Sequence, residues 1–251
     1  MELTLYGVNI WAAALLFARM SAMIMLLPGI GEAMVPARAR LGFALMLAAL
    51  MAPTLAERMP AMPDSAWAMF GLLFTESVIG IIFGGAARIL VTALATAGQI
   101  IGLETGIAFA QTTDPTQGQA AQIFSVFLGL MGVALMFATG LHHMFIAGIA
   151  GTYDIVAPGA PAPIDDATAM AVEAVAASFR VGFQISMPII AAGLVFRAGL
   201  GVLSRLIPQI QAYFVILPLQ IMGGFLIVGL GLSTGMLVWL DSLERYATWL
   251  R

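Results

Sequence analysis

Long apolar runs, separated by short polar or proline-containing breaks, dominate the chain. Segments of about 20 apolar residues are long enough to cross the hydrocarbon core of a bilayer as helices. The runs are continuous and do not alternate at every second residue, so they predict α-helices rather than strands. Six spans follow from this pattern: Val8–Leu27, Leu41–Leu55, Trp67–Ala87, Ile123–His142, Val181–Leu200 and Tyr213–Leu240.

Prolines and acidic residues mark the expected breaks. The last run is long enough to tilt, to kink at Gly223-Gly224, or to break. The longest polar interval, Asp154–Glu173, carries four acidic residues and no arginine, and a helix is expected to begin near Asp165 because acidic side chains favour a helix N-terminus. No linker marks a second domain, so one membrane domain covering residues 1–251 is predicted.

Arginine placement predicts an orientation with an outside N-terminus and six spans. Short cytoplasmic loops carry an excess of basic residues, and the arginine-free acidic interval would then lie outside. The arginines predicted to be cytoplasmic are Arg38, Arg40, Arg88, Arg197 and Arg205. Arg245 and Arg251 would lie outside, against the rule.

The composition identifies an integral membrane protein. Of 251 residues 61% are hydrophobic and 9% charged, with a mean hydropathy of +1.02. Soluble domains contain roughly 45–50% apolar and about 25% charged residues. All ten basic residues are arginine and the net charge is −3, which excludes a polybasic surface for nucleic acid. With no cysteine and two adjacent histidines, His142 and His143, neither a metal site nor a cofactor is expected.

One segment has the form of a hydrolase motif. Gly231-Leu-Ser-Thr-Gly235 fits G-x-S-x-G, but that motif requires a strand-to-helix turn, and here it falls in an apolar run that predicts a helix. An intramembrane serine protease using Ser233 with His142 or His143 is the enzymatic alternative. The sequence as a whole predicts no catalysis.

Two ionisable residues fall inside predicted spans. Arg19 lies in the first span and Glu76 in the third. Because a charge inside a membrane helix is costly, such residues pair with each other or mark a transport path. An ion pair between Arg19 and Glu76 is the favoured interpretation, and a role in transport is the second.

Glycines recur every fourth residue at Gly98, Gly102 and Gly106. Small residues at this spacing allow helix backbones to approach closely in lipid, either in ordinary helix packing or within a larger assembly. A polar run, interrupted by Pro115 and Gly118, follows between two apolar stretches. Irregular backbone at membrane depth requires a protein-lined or watery position, so this run is either a plain surface loop or a re-entrant element at a pore.

The segment GQIIGLETGIAFAQTTDP, residues 98–115, resembles the signature of the FliR family of the flagellar type III export apparatus. Supporting positions are Arg19 before the first proline break, Pro36-x-Arg38-x-Arg40 before the second helix, and Pro188 in the fifth. The length and the hydropathy pattern of the chain are similar to those of this family along essentially the whole chain. Injectisome counterparts share this architecture, and the flagellar branch is favoured.

The resemblance implies an all-α polytopic membrane protein without enzymatic activity. Such a subunit would stand as one copy beside several FliP and FliQ subunits in a helical cone, the export gate, in the inner membrane of the flagellar basal body. FlhB-like and FlhA-like proteins and unfolded flagellar cargo would be further partners. Because assembly places apolar sequence against protein, the six-span topology would not hold inside such a cone.

The resemblance also implies that the polar run plugs the pore until secretion begins. The residues of this plug would be Phe109, Gln111, Thr112, Thr113, Asp114, Pro115, Thr116, Gln117 and Gly118. The alternative function is a small secondary transporter with a broken-helix substrate site. A transporter should contain two related halves, and no second equivalent of the polar run occurs in the sequence, which favours the export channel.

Overall fold

The computed structural model describes residues 4–5, 8–107, 123–206 and 212–251. Two short antiparallel strands, β1 (Thr4–Leu5) and β2 (Val8–Asn9), pair Thr4 with Asn9. All other regular structure in these ranges is helical, which confirms the predicted all-α class. The helices are α1 (Ile10–Leu26), α2 (Ala37–Leu55) with a 3₁₀ turn (Ala56–Arg58), α3 (Ala66–Glu104), α4 (Ile123–Ala138), α5 (Leu141–Ile155), α6 (Ile164–Leu206) and α7 (Ala212–Trp249).

Four helical segments in the described ranges are long and apolar enough to cross a bilayer: Ala37–Arg58, Ala66–Glu104, Ile164–Leu203 and Pro218–Trp249. Helices α4 and α5 give a fifth span if they are counted as one broken span, bent by 76°. Helix α1 has only 17 residues. The predicted set of six differs from this result at α1, which is short for a bilayer, and at the fourth span, which is broken.

Helices α3 and α6 are far longer than the pattern predicted. They contain 39 and 43 residues and continue through Arg88 and Arg180, beyond the limits of the predicted spans Trp67–Ala87 and Val181–Leu200. An arginine can carry its charge away from an apolar surface on a long stem, so it need not end a helix. Arg88 does so by pairing with Glu32, Nη1 to Oε1 at 2.5 Å. Helix α6 begins at Ile164, beside the predicted start near Asp165.

A glycine breaks the fourth predicted span. Helix α4 ends at Ala138, and Gly140 has a φ of +73°. This left-handed conformation is easily reached only by glycine and commonly ends a helix. The predicted helix through His142 is therefore wrong at its end. Helix α7, by contrast, runs without a break through Gly223-Gly224.

The chain forms two compact units. The first unit contains residues Met1–Leu90, Met136–Val175 and Leu243–Arg251. In it, α3 approaches α1 closely, since a Cβ added at Gly80 or Gly84 would meet the main chain at Arg19 or Met23. The end of α7 belongs to this unit, where Tyr246 donates a hydrogen bond to the Phe83 carbonyl at 2.8 Å.

The second unit contains residues Val91–Leu135 and Ala176–Ser242. Close backbone approaches also determine its packing. A Cβ at Gly98 would meet the backbone of Ser125 on α4, and one at Gly182 would lie 3.1 Å from the Ala93 carbonyl oxygen. Ser125 donates a hydrogen bond to the Ala95 carbonyl at 2.9 Å. Small residues thus bring α4 and α6 against α3, as expected for helices that pack in lipid.

A small apolar recess of about 20 Å³ lies among α3, α4, α6 and α7 of this unit. Pro188 and Gly231 both line it, and a Cβ at Gly231 would lie 3.9 Å from Pro188 Cγ. Gly231→Ala should therefore fill empty space and remove a helix-interior glycine, which stabilises by about 0.5–1 kcal/mol. We expect the thermal unfolding temperature of the purified protein, with any bound partners, to rise by about 1–4 °C.

Two other glycines provide controls for this prediction. Gly223→Ala, on the same helix with nothing within 4 Å, should give the helix-propensity gain alone. Gly98→Ala, which meets the Ser125 backbone, should destabilise by roughly 1–3 kcal/mol because the helices must move apart. A lower unfolding temperature for Gly231→Ala than for Gly98→Ala would contradict this packing.

Candidate functional site

A fully buried ion pair joins α1 to α3 in the first unit. Arg19 Nε lies 2.6 Å from Glu76 Oε2, and both side chains have no exposed surface. Such a pair requires further hydrogen bonds, because removing two charges from water costs more than their mutual attraction alone returns. The structure thus brings together the two ionisable residues that the sequence singled out.

Helix α5 supplies those further bonds on the arginine side. Arg19 Nη1 donates to the carbonyl oxygens of Thr152 and Val156, each at 3.0 Å. These carbonyls stand in the last turn of α5 and just beyond it, where the helix dipole places partial negative charge. The guanidinium also lies 4.1 Å from the centre of the buried Tyr153 ring, a cation–π contact.

The turn that follows α5 supplies the bond on the carboxylate side. Gly159 donates its main-chain N–H to Glu76 Oε1 at 2.9 Å. Gly159 also packs on Pro60, whose carbonyl accepts a hydrogen bond from Trp11 Nε1 at 3.1 Å. The cluster formed by Arg19, Glu76, Tyr153 and Gly159, called here the Arg19 cluster, therefore ties three helices and two turns together.

Two polar atoms of the Arg19 cluster have no hydrogen-bond partner within the described residues. They are Arg19 Nη2 and the Tyr153 hydroxyl oxygen, and both are buried. The acceptors on α5 and the donor at Gly159 are main-chain groups, which carry no signature in the sequence. Tyr153 directly precedes the acidic interval and gave no signal of its own, so only the pairing of the two charges could be predicted.

The predicted packing glycines lie along the second half of α3 and its end. Gly98 contacts the α4 backbone, and Gly102 and Gly106 are buried. Gly106 has a φ of +79° and stands two residues after Glu104, the last residue of α3. The predicted plug residues, 109 and 111–118, lie outside the described residues.

The described residues offer no catalytic or metal-binding arrangement of the kinds weighed from the sequence. Ser233 lies inside α7, without the strand-to-helix turn that the hydrolase motif needs. His142 is the second residue of α5, and the centre of its ring lies 3.9 Å from that of His143 and 4.8 Å from that of Phe137. In the part of the chain that the structure describes, no three potential metal ligands of the His, Cys, Asp or Glu type come together.

Comparison with known proteins assigns most of the chain to one family. The model of "Bacterial export proteins, family 1" matches residues 10–246. The chain belongs to the FliR family of bacterial export proteins. It is 39% identical to the flagellar biosynthetic protein FliR of Caulobacter vibrioides, over 93% of both chains.

More distant FliR proteins also match most of this chain. The FliR of Bacillus subtilis is 29% identical over 86% of this chain and 84% of its own length. The FliR of Escherichia coli is 27% identical over 82% of this chain and 78% of its own. The family match starts at residue 10 and includes both residues of the buried ion pair.

The Arg19 cluster predicts that a neutral residue at position 76 is poorly tolerated. Glu76→Gln keeps the shape but leaves Arg19 charged and buried, at a cost of about 3–5 kcal/mol. Glu32→Gln is the matched control, since the Glu32–Arg88 pair is partly exposed and worth about 1 kcal/mol or less. The yield and unfolding temperature of the protein should fall far more for Glu76→Gln, and equal effects would contradict the cluster.

Exchanging the two charges should not restore stability. A glutamate at position 19 would face the carbonyl oxygens of Thr152 and Val156, and an arginine at position 76 would face the Gly159 N–H. Like polarities would then meet at both sites, so the double variant Arg19→Glu/Glu76→Arg should be at least as unstable as Glu76→Gln. Recovery to near the unsubstituted unfolding temperature would show that the main-chain groups contribute little.

Proposed function

We propose that this chain is the subunit that, with FliP and FliQ homologues, forms the inner-membrane channel of the flagellar type III export gate. The observation that carries the proposal is the 39% identity to a flagellar biosynthetic protein FliR over 93% of both chains. The chain is a component of the flagellar export apparatus and lies in the inner membrane at the flagellar basal body. Unfolded flagellar proteins are its proposed cargo, and FlhB-like and FlhA-like proteins its further partners.

The exposed apolar surface supports assembly with other subunits. Large exposed hydrophobic side chains follow α6 from Val172 to Leu203, about 47 Å at the helical rise. The hydrocarbon core of a bilayer is only about 30 Å thick. The exposed apolar side chains thus extend beyond the hydrocarbon core, and apolar patches of this kind mark interaction sites, which supports coverage of the remainder by other protein chains.

Exposed polar groups on the same helix also support contact with other protein chains. Arg180 and Gln184 are both exposed and stand one turn apart, next to the exposed rings of Phe179 and Phe183. A charged group within an apolar helix usually faces protein or water rather than lipid. We propose that FliP-like and FliQ-like helices cover this face of α6.

No catalytic role is proposed for the chain. Transport energy would come from partner proteins and from the gradient across the membrane, while this subunit contributes a path. The alternative of a self-sufficient secondary transporter has no support from the comparisons: the export-protein family model matches residues 10–246, and a FliR protein matches 93% of the chain.

Deleting the gene in its own host tests the export role. The proposal expects viable cells without external flagella and with no filament protein in the culture medium. A plasmid copy should restore both, and a copy carrying Glu32→Gln should do so as well, since that substitution leaves the buried pair intact. Normal secretion of filament protein in the deletion strain would contradict the export function.

The polar run at 109–118 is proposed to close the channel. Its six polar side chains at 111–114 and 116–117 stand between apolar stretches, and Pro115 prevents a regular helix through it. Shortening the run within 111–117, with the glycines of α3 intact, should leave the complex assembled and make cells leaky to small solutes. Uptake is measured at matched complex abundance.

An ordinary surface loop would tolerate this deletion without any change in permeability. Unchanged uptake with intact assembly would therefore remove the plug assignment. The export function would stand, because secretion of filament protein is measured separately.

A further inference from the structure

Side chains from α6 and α7 meet the last turn of α3. Arg197 Nη2 lies 2.7 Å from Glu104 Oε2, and Gln220 Nε2 donates to the Glu104 carbonyl oxygen, also at 2.7 Å. One residue of α3 is thus held through its side chain by one helix and through its main chain by another. A helix end leaves carbonyl oxygens without helical partners, and Gln220 satisfies this one.

Two glycines make room for these contacts. A Cβ at Gly193 of α6 would collide with Glu104 Oε2, and a Cβ at Gly224 of α7 would lie 2.6 Å from Thr105 Cγ2. Thr105 is fully buried. Both neighbouring helices therefore lack a side chain where the end of α3 lies against them, which distinguishes this arrangement from a chance ion pair on a surface.

The two charges of this pair differ in their surroundings. The Glu104 side chain is 16% exposed, whereas that of Arg197 is 54% exposed. A carboxylate that is mostly buried depends on its partner, while a half-exposed guanidinium can be hydrated when its partner is neutral. Removing Arg197 should therefore cost more than neutralising Glu104.

We propose that Glu104, Arg197 and Gln220 form a clasp that fixes the last turn of α3 and thereby keeps the export channel closed at rest. Arg197 is the positioning residue of the clasp. The inference rests on the proposed function, because Glu104 stands five residues before the run that is proposed to close the channel. The clasp itself consists only of residues on α3, α6 and α7.

The experiment measures small-solute uptake in cells that contain the whole export complex, at matched complex abundance. Arg197→Met keeps an apolar stem of similar length but leaves Glu104 unpaired, and uptake should rise about three- to tenfold. Glu104→Gln should raise uptake less. Because the double variant Glu104→Gln/Arg197→Met no longer contains an unpaired carboxylate, its uptake should fall below that of Arg197→Met.

The control is Ser178→Ala, which removes a 2.9 Å hydrogen bond between Ser178 and Thr92 on the same two helices. If any loosening of α6 from α3 caused the leak, this variant would be leaky as well. The clasp proposal instead expects its uptake to equal that of the unsubstituted complex. Uptake is therefore expected to be highest in Arg197→Met, lower in the double variant and lowest in Ser178→Ala. This order separates a positioning role of Arg197 from a general effect on stability.

The proposal is overturned if Arg197→Met and Glu104→Gln both assemble and remain as tight as the unsubstituted complex. If Arg197→Met fails to assemble, the double variant decides, and a tight double variant overturns the proposal. The strain shortened within 111–117 is measured in parallel. If that strain leaks while the clasp variants remain tight, the clasp alone is rejected. If that strain does not leak, the plug and the clasp are rejected together.

Discussion

The ion pair between Arg19 and Glu76 organises the first unit. Both charges are fully buried, so each must be satisfied from within, and the main-chain groups that satisfy them fix the end of α5 and the turn after it. Three separate stretches of sequence, α1, α3 and the end of α5 with its following turn, thereby become dependent on one contact. Removing either partner would leave an uncompensated buried charge, which is strongly destabilising.

Elsewhere, the helices are held by close backbone approach and by hydrogen bonds from side chains to main-chain carbonyls. Ser125 on α4 and Ser186 on α6 donate to carbonyls of α3, and Tyr246 near the end of α7 donates to another. Apolar side chains alone cannot distinguish a neighbouring helix from lipid, since the two are equally apolar. Small residues and polar contacts supply the missing selectivity.

The helical class, the family and the pairing of the two buried charges could be predicted from the sequence. Each depends on local signals: apolar runs, a glycine-spaced segment ahead of Asp114-Pro115, and ionisable residues that lipid excludes. Helix ends were predicted less well, because Arg88 and Arg180 look like boundaries although their long side chains let α3 and α6 continue. Tyr153 and Gly159 were missed, since their contacts involve a ring face or the main chain of a distant segment.

We propose that partner subunits cover the exposed apolar surface of this chain in an export gate. The most direct test is the mass of the intact complex, purified from membranes in mild detergent through a tag on this chain. We expect one copy of the 26.3 kDa chain together with several copies of two other small membrane proteins, homologous to FliP and FliQ. A long-lived monomer, or an oligomer of this chain alone, would contradict it.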